Sequence, residues 1–175
     1  AVQDRIAVRE PSVWAEFCEA VFSRVADVAS WIEIAHAINR SKWGIWSLAE
    51  YRRMMEAFLP VRAHFPEVPI TGPAAIDFEY PFLLAALKEL PDGLRFSALS
   101  HHLYVDRRGA PEHKQAGYDS LRKFALARAI ARWSGHCDDR LIISETNWPL
   151  AGTGVYSPVG APYQSPGERR NDPSV

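Results

Sequence analysis

The chain has 175 residues, 47% of them hydrophobic and 23% charged, with a formal net charge of -1 and a pI near 6.7. This is an ordinary globular composition with enough apolar surface for a substantial core, and it excludes a disordered, fibrous or membrane-spanning chain. Near-neutral charge with no block of like sign lacks the basic footprint of a nucleic-acid binder, so no nucleic-acid partner is expected. The opening "AVQDRIAVRE" carries no charged-then-apolar signal, and no apolar run is long enough to cross a bilayer. The expectation is a soluble chain without a membrane span, the cytoplasm favoured for want of a visible signal peptide.

A helix follows over 11–28, opened by Pro11, with Val13, Trp14, Phe17, Ala20, Val21 and Val25 mostly three and four residues apart as its apolar face. "SWIEIAHAI" reads as a strand, and "SLAEYRRMMEAFLPVRAHFP" as a second helix, with Ser47 and Glu50 at capping-box spacing. "VPITGPA" is then a strand, "YPFLLAALKEL" a helix and "LRFSALSHHLYV" a strand. "QAGYDSLRKFALARAIARWSG" is a helix ended by Gly135, and "RLIISETNW" is a final strand. In the last helix, Trp133 shares helical spacing with Phe124 and Ile130 and is expected in the core. Strands alternating with helices argue for a parallel α/β architecture, because parallel neighbours need a crossover that is usually helical. From Gly152 onward the chain is dense in Gly, Pro and Ser without period. The expected division is a domain over 1–163 and a loop or disordered tail over 164–175.

Neither G-x-G-x-x-G nor G-x-x-x-x-G-K occurs, which argues against a nucleotide-binding sheet. Polar and aromatic residues gather instead at strand C-terminal ends. His36 and Asn39 follow the first, Asp77 and Glu79 the second, and His101, His102 and Tyr104 surround the third. Glu145, Asn147 and Trp148 end the fourth. That distribution fits a (β/α) barrel, whose site is assembled from such loops. A carboxylate beyond "LIIS", next to an amide side chain and an indole, suits a site that handles sugars. Trp43 and Trp46 flank Gly44 and offer either a sugar-stacking platform or a cap on the barrel rim.

Adjacent His101 and His102 point to opposite faces of a strand, so a metal site built from both is not expected. Cys18 and Cys137 are far apart, lack C-x-x-C spacing and read as free thiols. The expectation is no metal and no cofactor. Arg40 and Lys42 read as a solvated rim or as receptors for an acidic sugar or phosphate.

"WIEIAHAINRSKWG", "ITGPA", "ALSHHLYV" and "IISETNWP" together resemble, in order and spacing, strands four to seven of retaining glycoside hydrolases of the (β/α)8-barrel clan that contains β-xylosidases, iduronidases and cellulase-like enzymes. The resemblance covers about residues 11–165. It implies a TIM-barrel glycosidase-like fold, here a partial barrel of about four β/α units, acting on a carbohydrate or glycoside. It matches Glu145 to the strand-seven nucleophile, and His102 and Tyr104 to the H-x-Y pair that orients the nucleophile or contacts sugar. His36, Asn39, Trp43, Asn147 and Trp148, polar or aromatic residues after the same strands, are expected to bind substrate. A carboxylate nucleophile needs a fixed position and donors that hold it ionised.

The sequence also departs from that pattern. Laying "EIAHAINR" on an "EIGNEPNR"-like motif puts His36 on the Asn, Ala37 on the acid/base Glu and Ile38 on the Pro. A retaining mechanism uses two carboxyl groups about 5 to 5.5 Å apart, and alanine donates no proton. Three explanations compete: His36, Asp77 or Glu79 supplies the proton, the leaving group needs none, or the protein is a carbohydrate-binding pseudoenzyme. Glu33, four residues before Ala37, is expected about 13 Å deeper in the strand, as a structural glutamate. A complete barrel takes about 250 residues. Strands one to three are therefore expected before Ala1 and strand eight after Val175, and the open sheet edges are expected to favour self-association.

Overall fold

The computed structural model describes residues 3–104 and 114–146. Asn147, Trp148 and the proposed domain boundary at 163 lie outside the described residues. In chain order the elements are α1 (Arg5–Arg9), α2 (Pro11–Val25), β1 (Ile32–Glu33) and a 3-10 turn at Ser41–Trp43. They continue with α3 (Leu48–His64), β2 (Ile70–Ile76), α4 (Tyr80–Lys88), β3 (Ala98–His102), α5 (Ser120–Ser134) and β4 (Leu141–Glu145).

Local chemistry sets most of these limits. Pro11 starts α2 where its missing N–H costs nothing. The Ser47 hydroxyl accepts from the Glu50 N–H and caps α3. The Glu50 carboxylate does not close the box; it accepts from the Trp46 N–H and from Arg5 instead. Asp119 caps α5 through the Arg122 N–H, and Gly135, at φ 76°, ends it in the left-handed conformation that glycine adopts without strain. This helix begins five residues later than the sequence pattern suggests, because Gln115 and Tyr118 pair across a turn.

The four strands lie parallel in the order β1-β2-β3-β4. Each strand beside its chain neighbour, with no reversal, is the order of a (β/α) barrel and not of a doubly wound sheet. The sheet is curled into a half-barrel with the helices packed against it, as the α/β barrel expectation required. The helix-side core is continuous, with Phe22, Tyr51, Met54, Met55, Phe58, Leu83, Leu87, Phe96 and Leu99 all buried.

Two expectations fail in this core. The buried stripe of α2 is Trp14, Cys18 and Phe22, while Ala20 faces solvent, because the larger rings take the inward positions. Trp133 is 67% exposed; its ring lies under the Lys88 ammonium, 4.5 Å from the centroid, on the face of α5 turned away from the sheet.

Candidate active site

The site begins with a strand that ends early. β1 stops at Glu33, where the sequence pattern continued it to Ile38. Ala35 and Ala37 then take positive φ values of 69° and 43°, which no extended strand allows. The turn carries the His36 side chain back toward Glu33. Buried Gln3 fixes it there: its amide accepts from the His36 N–H at 2.6 Å and donates to the carbonyls of His36 and Trp43 at 2.9 and 3.0 Å.

Glu33 is therefore no remote structural glutamate. Because the strand is broken, its depth cannot be counted by strand rise, and its Oε1 sits 3.1 Å from His102 Nε2. The other oxygen accepts from the Ser144 hydroxyl at 2.6 Å. Ligand-capable atoms of Glu33, His36 and His102 all lie within 4.8 Å of one another. Burial works to raise the Glu33 pKa, but hydrogen bonds from His102 and Ser144 outweigh it and hold the carboxyl below its ordinary value. Burial, then the neighbouring His102, lowers the pKa of His36.

The opposite wall comes from β3 and β4. His102 is the register partner of Glu145, and the pairing slips by one residue after His101–Ile143. That bulge leaves Ser144 extra, so two successive residues of β4 turn to the same side. The Tyr104 hydroxyl donates to Glu145 Oε1, and His102 Nδ1 faces Glu145 Oε2 at 3.6 Å. His102 is thus interposed between two carboxylates, buried to 2% side-chain exposure, while Glu145 is 46% exposed. As alternation requires, His101 turns the other way, into a pocket with Lys123, Leu126 and Ile130, where burial lowers its pKa to about 4.

The remaining sequence candidates divide. Trp43 stands edge-on to His36, 4.5 Å between ring centroids, and so belongs to the same cluster. Asn39 does not join it. Its amide donates to the Ile76 carbonyl and Glu79 and accepts from the Ile76 N–H, which pins the rim loop to β2. Arg40 pairs with Asp77 at 2.6 Å and Glu79 at 2.8 Å, so all three charges are engaged with one another. Asn39 and Trp46 line a separate cavity of about 240 Å³ with Ile38, Ile45 and Phe82. Trp46 lies beneath the Arg5 guanidinium, 3.9 Å from the ring centroid. Ala37 is fully buried and brings no functional group to the cluster. Sequence reasoning missed Ser144 and Gln3, and it misplaced Glu33. The only signal for Ser144 was its place beside Glu145.

Neither a scan of protein-family models nor a search of curated proteins finds a match. Among solved structures the chain is similar to a GH39 enzyme from Xanthomonas axonopodis pv. citri, at 18% identity with a TM-score of 0.57 over 81% of this chain. The chain spans about a third of that structure, 32% of its length. At this identity the likeness establishes the fold alone: a parallel α/β half-barrel of the (β/α)-barrel kind, shared with part of that enzyme.

Proposed function

We propose that the chain forms the groove-bearing part of a glycoside hydrolase, acting by a retaining mechanism with Glu145 as nucleophile. The observation that carries this reading is the Tyr104 hydroxyl donating to Glu145 beside His102, at the C-terminal ends of adjacent parallel strands. A nucleophile at an anomeric carbon needs an ionised carboxylate held in one orientation, with one oxygen free to bond carbon. Tyr104 fixes one oxygen, and the partial exposure of Glu145 leaves the group accessible from the groove. Trp43 supplies an aromatic face nearby, and Asn147 and Trp148, which lie outside the described residues, are proposed as further sugar-binding residues. On this reading the domain over 1–163 is the catalytic part.

A second reading is favoured by one observation. Ala37 stands where the acid/base carboxylate belongs in the resemblance, and Asp77 and Glu79 are held by Arg40. If His36, the remaining candidate in the cluster, donates no proton, the barrel binds carbohydrate and does not cleave ordinary glycosides. Dinitrophenyl glycosides separate the two readings, since that leaving group departs unprotonated. A panel of such glycosides is assayed with the whole protein that carries this chain, beside its Glu145→Gln variant. Turnover that disappears in the variant establishes the nucleophile and names the sugar. Absence of turnover with every sugar, with saccharide binding retained, establishes the binding protein instead.

A further inference from the structure

We infer that Glu33, His36 and His102 form a binding site for a divalent first-row transition metal at the mouth of the half-barrel. Three residues distant in sequence, from the end of β1, the turn after it and the end of β3, bring one carboxylate and two imidazoles within 4.8 Å of one another. Two nitrogens and one carboxylate oxygen select zinc, iron(II) or cobalt(II) over magnesium and calcium, which prefer shells of oxygen. A set of three protein ligands leaves coordination positions for water or a hydroxyl of a bound molecule.

The surroundings match what a metal site needs beyond its ligands. Ligating groups are held by outer hydrogen bonds that fix their orientation. Glu33 Oε2 accepts from Ser144 at 2.6 Å, which leaves Oε1, 3.1 Å from His102 Nε2, as the metal-facing oxygen. With Nε2 on that side, the Nδ1 of His102 faces the Glu145 carboxylate at 3.6 Å, outside hydrogen-bond distance, so the outer support of the site comes from Ser144 on Glu33 and from the groups around His36. His36 is set by two clamps, Gln3 on its backbone and the edge-on Trp43 ring on its imidazole. An ion pair between Glu33 and His102 alone needs no such fixing of His36.

The inference stands independently of the glycosidase reading, because its test involves no sugar. Metal-free protein is titrated with cobalt(II), read by its visible absorption, and then with zinc(II) as competitor. One equivalent of cobalt is expected to bind, with zinc displacing it. His36→Ala and His36→Gln are each expected to weaken binding at least about tenfold, with an unchanged far-UV circular dichroism spectrum. His64→Ala and His136→Ala, outside the cluster, are expected to bind as the parent does. Since His36 is only partly buried, its variants keep the test decisive even if replacing buried His102 prevents folding. Absence of saturable one-to-one binding overturns the site, as does binding that survives both His36 variants or is lost on replacing His64 or His136.

Discussion

Tyr104 and Glu145 are forty-one positions apart in sequence, and their hydrogen bond is the smallest unit on which the proposed chemistry depends. A hydrogen bond to a charged group contributes ~1.5–3 kcal/mol. Tyr104→Phe in the whole protein is therefore expected to reduce kcat on an activated glycoside by about tenfold to a hundredfold, with KM little changed; equal kcat would end the supporting role of Tyr104. The cysteines are a second residue-scale case. Cys18 and Cys137 are 4% and 5% exposed, and burial pushes both thiols up to about 12. A thiol that is neither exposed nor ionised does not attack a disulfide reagent. Ellman's reagent at mildly alkaline pH is expected to find no reactive thiol in the native chain and two in denaturant, and rapid native labelling would contradict this burial.

At the scale of elements, β2 and the loop leading into β3 are locked by one close approach. Gly72 lies against the buried ring of Phe96, and a Cβ at that position would overlap the ring. Neither backbone nor ring has space to yield in a packed core, so Gly72→Ala is expected to cost ~1–3 kcal/mol. The check is the urea midpoint, with the slope unchanged if the fold is kept. The cap of α3 is a gentler case. Removing the Ser47 hydroxyl leaves the Glu50 N–H without its acceptor, and Ser47→Ala is expected to lower stability by ~1 kcal/mol. Both effects belong to single elements and should add within error, since no partner is shared.

For the molecule as a whole, α1 is tied to α3 by one ion pair, and the described sheet has two edges. Arg5 hydrogen-bonds Glu50 at 2.7 Å and holds its carboxyl down at about 2, against the opposition of burial. A carboxyl whose folded pKa lies below its unfolded one stabilises the fold above the unfolded value, near 4.5, and loses that contribution as pH falls toward the folded value. Glu50→Gln is thus expected to flatten the acid limb of stability below about pH 4.5, seen in denaturation midpoints at stepped pH. An acid limb as steep as the parent's would place the acid sensitivity elsewhere. β1 and β4 are the outer strands, and β4 is half-buried to exposed along its length. Unpaired ladder groups invite another strand, so we propose that the chain alone associates with rising concentration, as sedimentation would show.

The alternation of strands and helices, and with it the parallel barrel order, was determined by the sequence, because apolar period, caps and Gly135 act within a few residues of chain. The same locality let alternation separate His101 from His102, and let "SETNWP" mark Glu145 at a strand end. What tertiary structure decided is the company Glu145 and His102 keep. The strand holding Glu33 stops at once, since Ala35 and Ala37 adopt left-handed backbone, a conformation that alanine, unlike glycine, does not advertise. The bulge at Ser144 depends on pairing with β3, and the clamp on His36 comes from Gln3, thirty-three residues away. Contacts across such separations are fixed by packing and register, so the cluster of two carboxylates, two imidazoles and a tyrosine took form only when the strands came together.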